Sequence, residues 1–198
     1  MTYPSRIEAE KELELGNSLN PGVWTEHSCF VAKACEFIAN AAGMDANKAY
    51  IFGLLHDIGR RIGRCGQKHI YSGYIYCKEK GWDEVAKISL THSFLFNDAE
   101  IGCAKYDGPN QEWVFVKDYI QKIQFDDYDR LVQLCDALAT PKGFCIAERR
   151  LVDVTLRYGI LPHMVEKWKK LFEIKAYFDN KCGQSIYKLL PGIESNLE

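Results

Sequence analysis

Four of the five histidines of this 198-residue chain fall into one ordered series with two aspartates: His27, the adjacent pair His56-Asp57, His69, His92 and Asp136. Imidazole nitrogen and carboxylate oxygen together suit a divalent transition metal such as iron, manganese, cobalt, nickel or zinc. Six such side chains are more than one ion takes from a protein that must leave positions for water and substrate. The count therefore points to two ions rather than one. A carboxylate has two oxygens and can bridge two cations, which imidazole cannot. Asp57 is thus the natural bridge and the catalytic carboxylate, with His69 and His92 serving the second ion.

Between two of these ligands runs "GRRIGRCGQK", which places Arg60, Arg61, Arg64 and Lys68 within nine residues. A cationic, glycine-punctuated loop suits a phosphorylated substrate, because guanidinium recognises phosphate oxygens bidentately. The plainer reading of the same loop is a solvated turn. Arg60 and Arg61 are the nearest to Asp57. Lys142, in "ATPKG" shortly after Asp136, is a weaker candidate for the same role, as is Arg149. The chemistry implied is metal-assisted hydrolysis of a phosphoester or phosphoanhydride. It needs no Ser-His-Asp or Cys-His nucleophile, and the sequence offers no nucleophile elbow.

Helices must position these groups. Residues 23–42 carry Val23, Phe30, Val31, Ala34, Phe37, Ile38 and Ala41 at three- and four-residue spacing. Asp45 caps a second helix, stopped at Gly59. A third runs from about His69 to Lys80, and a fourth from Asp83 sets Val85, Ile88 and His92 on one side. After a loop at Asp107–Asn110, further helices are expected at about 111–123, 127–139, 144–158 and 162–179. No strand-like alternation of useful length occurs. The expectation is an all-α, multi-helix bundle with the metal site in its core, ligands converging from separate helices. His56 and Asp57 would lie about 100° apart on an ideal helix, yet near a helix end both can reach one centre. Asp136, inside "LVQLCDALA", is presented by a core helix, where an uncompensated carboxylate would be costly.

Other conspicuous residues read as structure. His163, directly after Pro162, is a surface residue at a helix start. Trp113, Phe115, Tyr119 and Phe125 are packing, and Cys29, Cys35, Cys77, Cys135 and Cys145 are small buried hydrophobes. One domain over residues 1–198 is the default at this length, with the motifs in about 23–140 and additional C-terminal helices in about 144–190. With 25 basic against 27 acidic residues the net charge is −2, which offers no field for a nucleic-acid polymer or an anionic membrane. No CxxC pair, secretory signal or bilayer-length apolar run is present, and the cytoplasm is the expected compartment.

The stretches "EHSC" around His27, "LLHDIGRR" around His56-Asp57 and "LVQLCDALA" around Asp136 resemble the HD-domain superfamily of metal-dependent phosphohydrolases. The resemblance covers roughly residues 23–140. It implies that His27, His56, Asp57 and Asp136 hold one metal. Two further histidines between the pair and the last aspartate imply a second, with Asp57 bridging. This spacing looks like the bacterial symmetrical diadenosine tetraphosphate hydrolase branch, and also like mixed-valent di-iron oxygenases on the same fold. The implied activity is hydrolysis of a nucleotide or dinucleoside polyphosphate, with iron the foremost metal and a small phosphorylated substrate as partner. A homodimer is compatible with it. The oxygenase is the alternative, and a non-catalytic nucleotide sensor is a weaker one, because degenerate members lose a ligand and none is missing here. The chain departs from the hydrolase branch in its long tail after about 145.

Overall fold

A computed structural model describes residues 2–101 and 104–196. The fold is all-α. Among the described residues the helices are α1 (Arg6–Leu19), α2 (Trp24–Ala41), α3 (Ala46–Leu55), α4 (Lys68–Glu79), α5 (Asp83–Thr91), α6 (Asn110–Lys122), α7 (Asp127–Asp136), α8 (Ala147–Tyr158) and α9 (Met164–Cys182). A short 3-10 helix, Ile58–Ile62, joins α3 to α4.

At the centre lies α3. Asp45 caps it, its carboxylate accepting from the Lys48 amide at 2.9 Å, which satisfies an orphan donor of the first turn. Every residue from Ala49 to Leu55 is buried, so this helix is apolar all round and needs neighbours on every side. Its most extensive partner is α2, carrying Val31, Ala34, Cys35 and Ile38 in the core. Gly53 makes that contact possible: a Cβ there would lie 2.9 Å from both the Ala32 Cα and the Cys35 Sγ. Fully buried Ile51, Leu54 and Leu55 contribute roughly 1.5–3 kcal/mol each. A second apolar cluster joins α4, α5 and α6 through Ile70, Leu90, Phe94, Val116 and Ile120, with Trp113 and Tyr119 packed against it.

Several boundaries differ from the sequence reading. The second helix ends at Leu55, not Gly59, because Asp57 leaves the helix at φ −100°, ψ 12° and the 3-10 turn follows. The helix expected over 127–139 ends at Asp136, and the next one starts at Ala147 rather than 144. Between them Ala139–Thr140 (β1) pairs antiparallel with Gly143–Phe144 (β2), where no strand was expected. Pro141-Lys142 forms the tight turn between them, and Gly143 adopts φ 149°. The sequence reading also left α1 out. Its start carries a capping box in which the Ser5 hydroxyl accepts from the Glu8 amide while the Glu8 carboxylate accepts from the Ser5 amide. His163 caps α9 from outside in the left-handed region, at φ 58°, and is exposed. No helix of the described residues is long and apolar enough to cross a membrane.

Candidate metal centre

Six elements deliver the six ligand candidates, one from each. His27 comes from the first turns of α2, and His56 caps the end of α3. Asp57 opens the 3-10 turn, His69 lies in the first turn of α4, His92 caps the end of α5, and Asp136 is the last residue of α7. The break in helix geometry at Asp57 lets two neighbours in sequence face one centre. Ligand atoms of His27, His56 and Asp57 all lie within 4.8 Å of one another, as do those of Asp57, His69 and His92. The two clusters share Asp57. Asp136 joins the first, its Oδ1 2.9 Å from His27 Nε2. All but Asp136, which is half-buried, are buried.

Backbone carbonyls decide which way the rings present their lone pairs. His56 Nδ1 lies 2.7 Å from the Gly53 oxygen, His69 Nδ1 2.5 Å from the Gly66 oxygen, and His92 Nδ1 3.2 Å from the Ile88 oxygen. A carbonyl only accepts, so each Nδ1 holds the proton and each Nε2 offers a lone pair. The His69 and His92 Nε2 atoms then stand 3.3 Å apart with no proton between them. Asp57 Oδ1, 3.0 Å from His69 Nε2 and 3.6 Å from His92 Nε2, is buried without a donor. Converging buried acceptors are costly unless a cation satisfies them. The residues therefore fit a bound metal.

Electrostatics support the same reading. Burial pushes the pKa of His56 down to about 4, and burial also lowers that of His69, so both stay neutral and able to ligate. Burial would raise Asp57, but the adjoining Arg60 guanidinium outweighs it, and the carboxyl is held well below its ordinary value. At Asp136 burial is likewise outweighed, here by the hydrogen bond to His27 and by the Arg150 guanidinium.

A family model described as the HD domain matches residues 24–140, well over half of the chain. The chain belongs to the HD domain family. Neither the curated proteins nor the solved structures yield a match. The matched span of this HD domain begins at the first turn of α2 and ends in β1, so all six ligand candidates fall inside it.

Above the ligands opens a cavity of about 480 Å³. Of the cations singled out in the sequence, Arg60 lines it, with its Nε 2.5 Å from Asp57 Oδ2. The others lie elsewhere. Arg61 Nη1 is 3.1 Å from Glu12 on α1, its guanidinium is stacked 3.9 Å over the Tyr76 ring, and Lys80 and the Tyr76 hydroxyl share the same carboxylate. Arg64 and Lys142 are exposed, Lys68 is half-buried, and none of the three lines the cavity. Arg149 is exposed on α8. Arg61 thus ties α1, the 3-10 turn and α4 together. Arg61→Met is expected to cost about 2 kcal/mol, since a mostly buried pair is broken while Glu12 keeps its other partners. Thermal unfolding measures this, and a rise in KM with no loss of stability would return Arg61 to the substrate.

Residues that periodicity does not reveal hold the ligands in place. Asp107 accepts from the amides of Gly66 and Lys68 at 2.6 and 2.7 Å, fixing the loop whose Gly66 carbonyl orients His69. Gln133 on α7 donates to the carbonyls of Thr91 and Phe94 at 3.0 and 2.7 Å, either side of His92. Asn20 Nδ2 donates to the Arg60 carbonyl at 2.7 Å. Outer partners of this kind typically affect metal affinity about 10–100-fold. Asp107→Ala should weaken an ion held at His69 and His92 by that amount and spare one held at His27, His56 and Asp136. Titration against a competing chelator reads the two steps separately, and equal loss at both, or none, contradicts the assignment.

Proposed function

We propose that this HD domain is a phosphohydrolase that splits a phosphoester or phosphoanhydride with two divalent transition-metal ions sharing Asp57, iron foremost. Its substrate is a nucleotide or dinucleoside polyphosphate, as in the diadenosine tetraphosphate hydrolases that the sequence resembles. The observation that carries this reading is the pair of clusters sharing Asp57 beneath a cavity of about 480 Å³, within the range of small-molecule sites. HD domains are typically metal-dependent phosphohydrolases. Ions held there supply an acidified water and a polarised phosphoryl group.

The chain supplies the rest. His56 and His69 are kept neutral by burial, with their Nε2 lone pairs aimed at the centre. Asp57 fixes the spacing of the two clusters. Arg60 sets a positive charge at the cavity wall, where it can neutralise non-bridging oxygens of the reacting group. Trp24 and Leu171 border the same space.

The test is phosphate or nucleotide release from mononucleotides and dinucleoside polyphosphates, run anaerobically with iron(II), manganese(II) or cobalt(II). Asp57→Ala provides the blank. Turnover by the native protein alone supports the reading. Silence from a protein carrying two irons moves the weight to a mixed-valent oxygenase, which requires iron and dioxygen. His69→Ala separates the metal counts: bound metal should fall from two to one per chain, and an unchanged stoichiometry leaves a mononuclear hydrolase.

A further inference from the structure

Gln67 lines the cavity together with Asp57, Arg60 and His69. Its backbone is pinned on both sides. Asp107 accepts from the amides of Gly66 and Lys68, and the Gln67 carbonyl accepts from the Ile70 amide at 3.2 Å. The Cys65 carbonyl, two residues earlier, accepts from Arg60 Nη1 at 3.4 Å, which ties the same loop to the cation beside Asp57. The Gln67 side chain, by contrast, is uncommitted. It stands at the N-cap position of α4, where a side-chain oxygen ordinarily accepts from a first-turn amide, and it makes no such bond. Its Oε1 is enclosed without a donor. Its Nε2 amino group, the open end of the carboxamide, has no acceptor among the described residues.

An enclosed acceptor without a donor lowers stability. A leucine would fill a similar volume without that penalty, so neither packing nor capping accounts for a glutamine here. Groups that weaken the fold are retained where a site uses them. We propose that Gln67 is a substrate-contact residue whose amide group donates to a non-bridging oxygen of the reacting phosphoryl, beside Arg60. The two donors differ in kind. Arg60 brings a full charge but shares it with Asp57, 2.5 Å away. The carboxamide is neutral, so it adds a directed donor without drawing on the Asp57 charge, and it has no protein acceptor to give up first. Because the backbone on either side is fixed, only side-chain torsions remain to be ordered when the phosphoryl arrives. The contact rests on the phosphohydrolase reading for the identity of its anion, but binding alone tests it.

The experiment is calorimetric binding of inorganic phosphate to the full chain loaded with manganese(II), beside Gln67→Leu and Gln67→Glu. Metal content and Tm are read on the same samples. Gln67→Leu is expected to bind phosphate about tenfold more weakly, the ordinary loss for a hydrogen bond to a charged group. Its metal content should stay native, and its Tm should stay at or above the native value, because the enclosed acceptor is gone. Gln67→Glu keeps acceptors and loses the donors, so it should bind phosphate no better than Gln67→Leu. Native-strength binding by either variant, or a native protein that does not bind phosphate, overturns the contact. So does a fall in Tm or metal content alongside the lost affinity, since Gln67 would then be structural. Should the expected pattern hold while no phosphoester is split, the contact stands and it is the hydrolase reading that fails.

Discussion

If two ions share Asp57 as proposed, Asp57→Asn is expected to strip the protein of both and to lower kcat/KM roughly 1,000-fold or more. Both clusters depend on the same carboxylate, so no single histidine substitution has an equal reach. The amide keeps the volume and one acceptor oxygen for Arg60, now 2.5 Å from Asp57 Oδ2, but it brings no negative charge and cannot bridge two cations. Metal chemistry supplies several kcal/mol of transition-state stabilisation, at about 1.4 kcal/mol per decade of rate. A second, smaller effect follows in the metal-free protein. Asp57 is held ionised against burial by Arg60, and replacing a hydrogen bond to a charged group by a neutral one costs about 1 kcal/mol. Elemental analysis, turnover and thermal unfolding of metal-free protein give the three readouts. A variant that keeps one tightly bound ion and native turnover would show that Asp57 is not shared.

The convergence of the His and Asp series was legible because its residue types are scarce. "GLLHDIG" places two ligand candidates just before a glycine, and the structure breaks the helix at Asp57 itself. The all-α architecture followed from the spacing of apolar residues in α2 and from caps such as Asp45. The allocation of cations was not legible. Arg60 and Arg61 are neighbours with the same chemistry, yet one meets Asp57 and the other meets Glu12, 49 residues away. Spacing within a loop does not say which way a side chain turns; that depends on a helix not yet placed. The start of α1 did carry its signal, Ser5 with Glu8 three residues on. Ile7, Leu15 and Leu19 are exposed in that helix, so its apolar periodicity was weak. Asp107 and Gln133 act through backbone carbonyls and amides, and no residue pattern announces such contacts.

Gly59→Ala should be nearly as damaging to the site as loss of a ligand, although Gly59 touches no ion. The 3-10 turn packs backbone against backbone on α4. A Cβ at Gly59 would drive into the His69 carbonyl oxygen and the Gly73 amide nitrogen. Gly73 has no room to retreat, because its own Cβ position lies 3.0 Å from the Ser89 hydroxyl on α5. Three layers, the turn, α4 and α5, are thus stacked at glycine contact, and they carry Asp57, His69 and His92. A flexible side chain could move aside, but a peptide group inside a helix cannot. Overpacking at such a point costs about 3 kcal/mol, a fall of roughly 6–12 °C in Tm for a chain of this size. Relief can come only by shifting α4 away from the turn, which moves His69 relative to Asp57. An ion held by Asp57, His69 and His92 should therefore weaken more than one held at His27, His56 and Asp136. Calorimetry and chelator titration read the two effects, and the pairing is the informative part. A large fall in Tm with both ions bound as tightly as before would mean that α4 moves with the turn as one body, and that His69 is positioned by Gly66 and Asp107 alone.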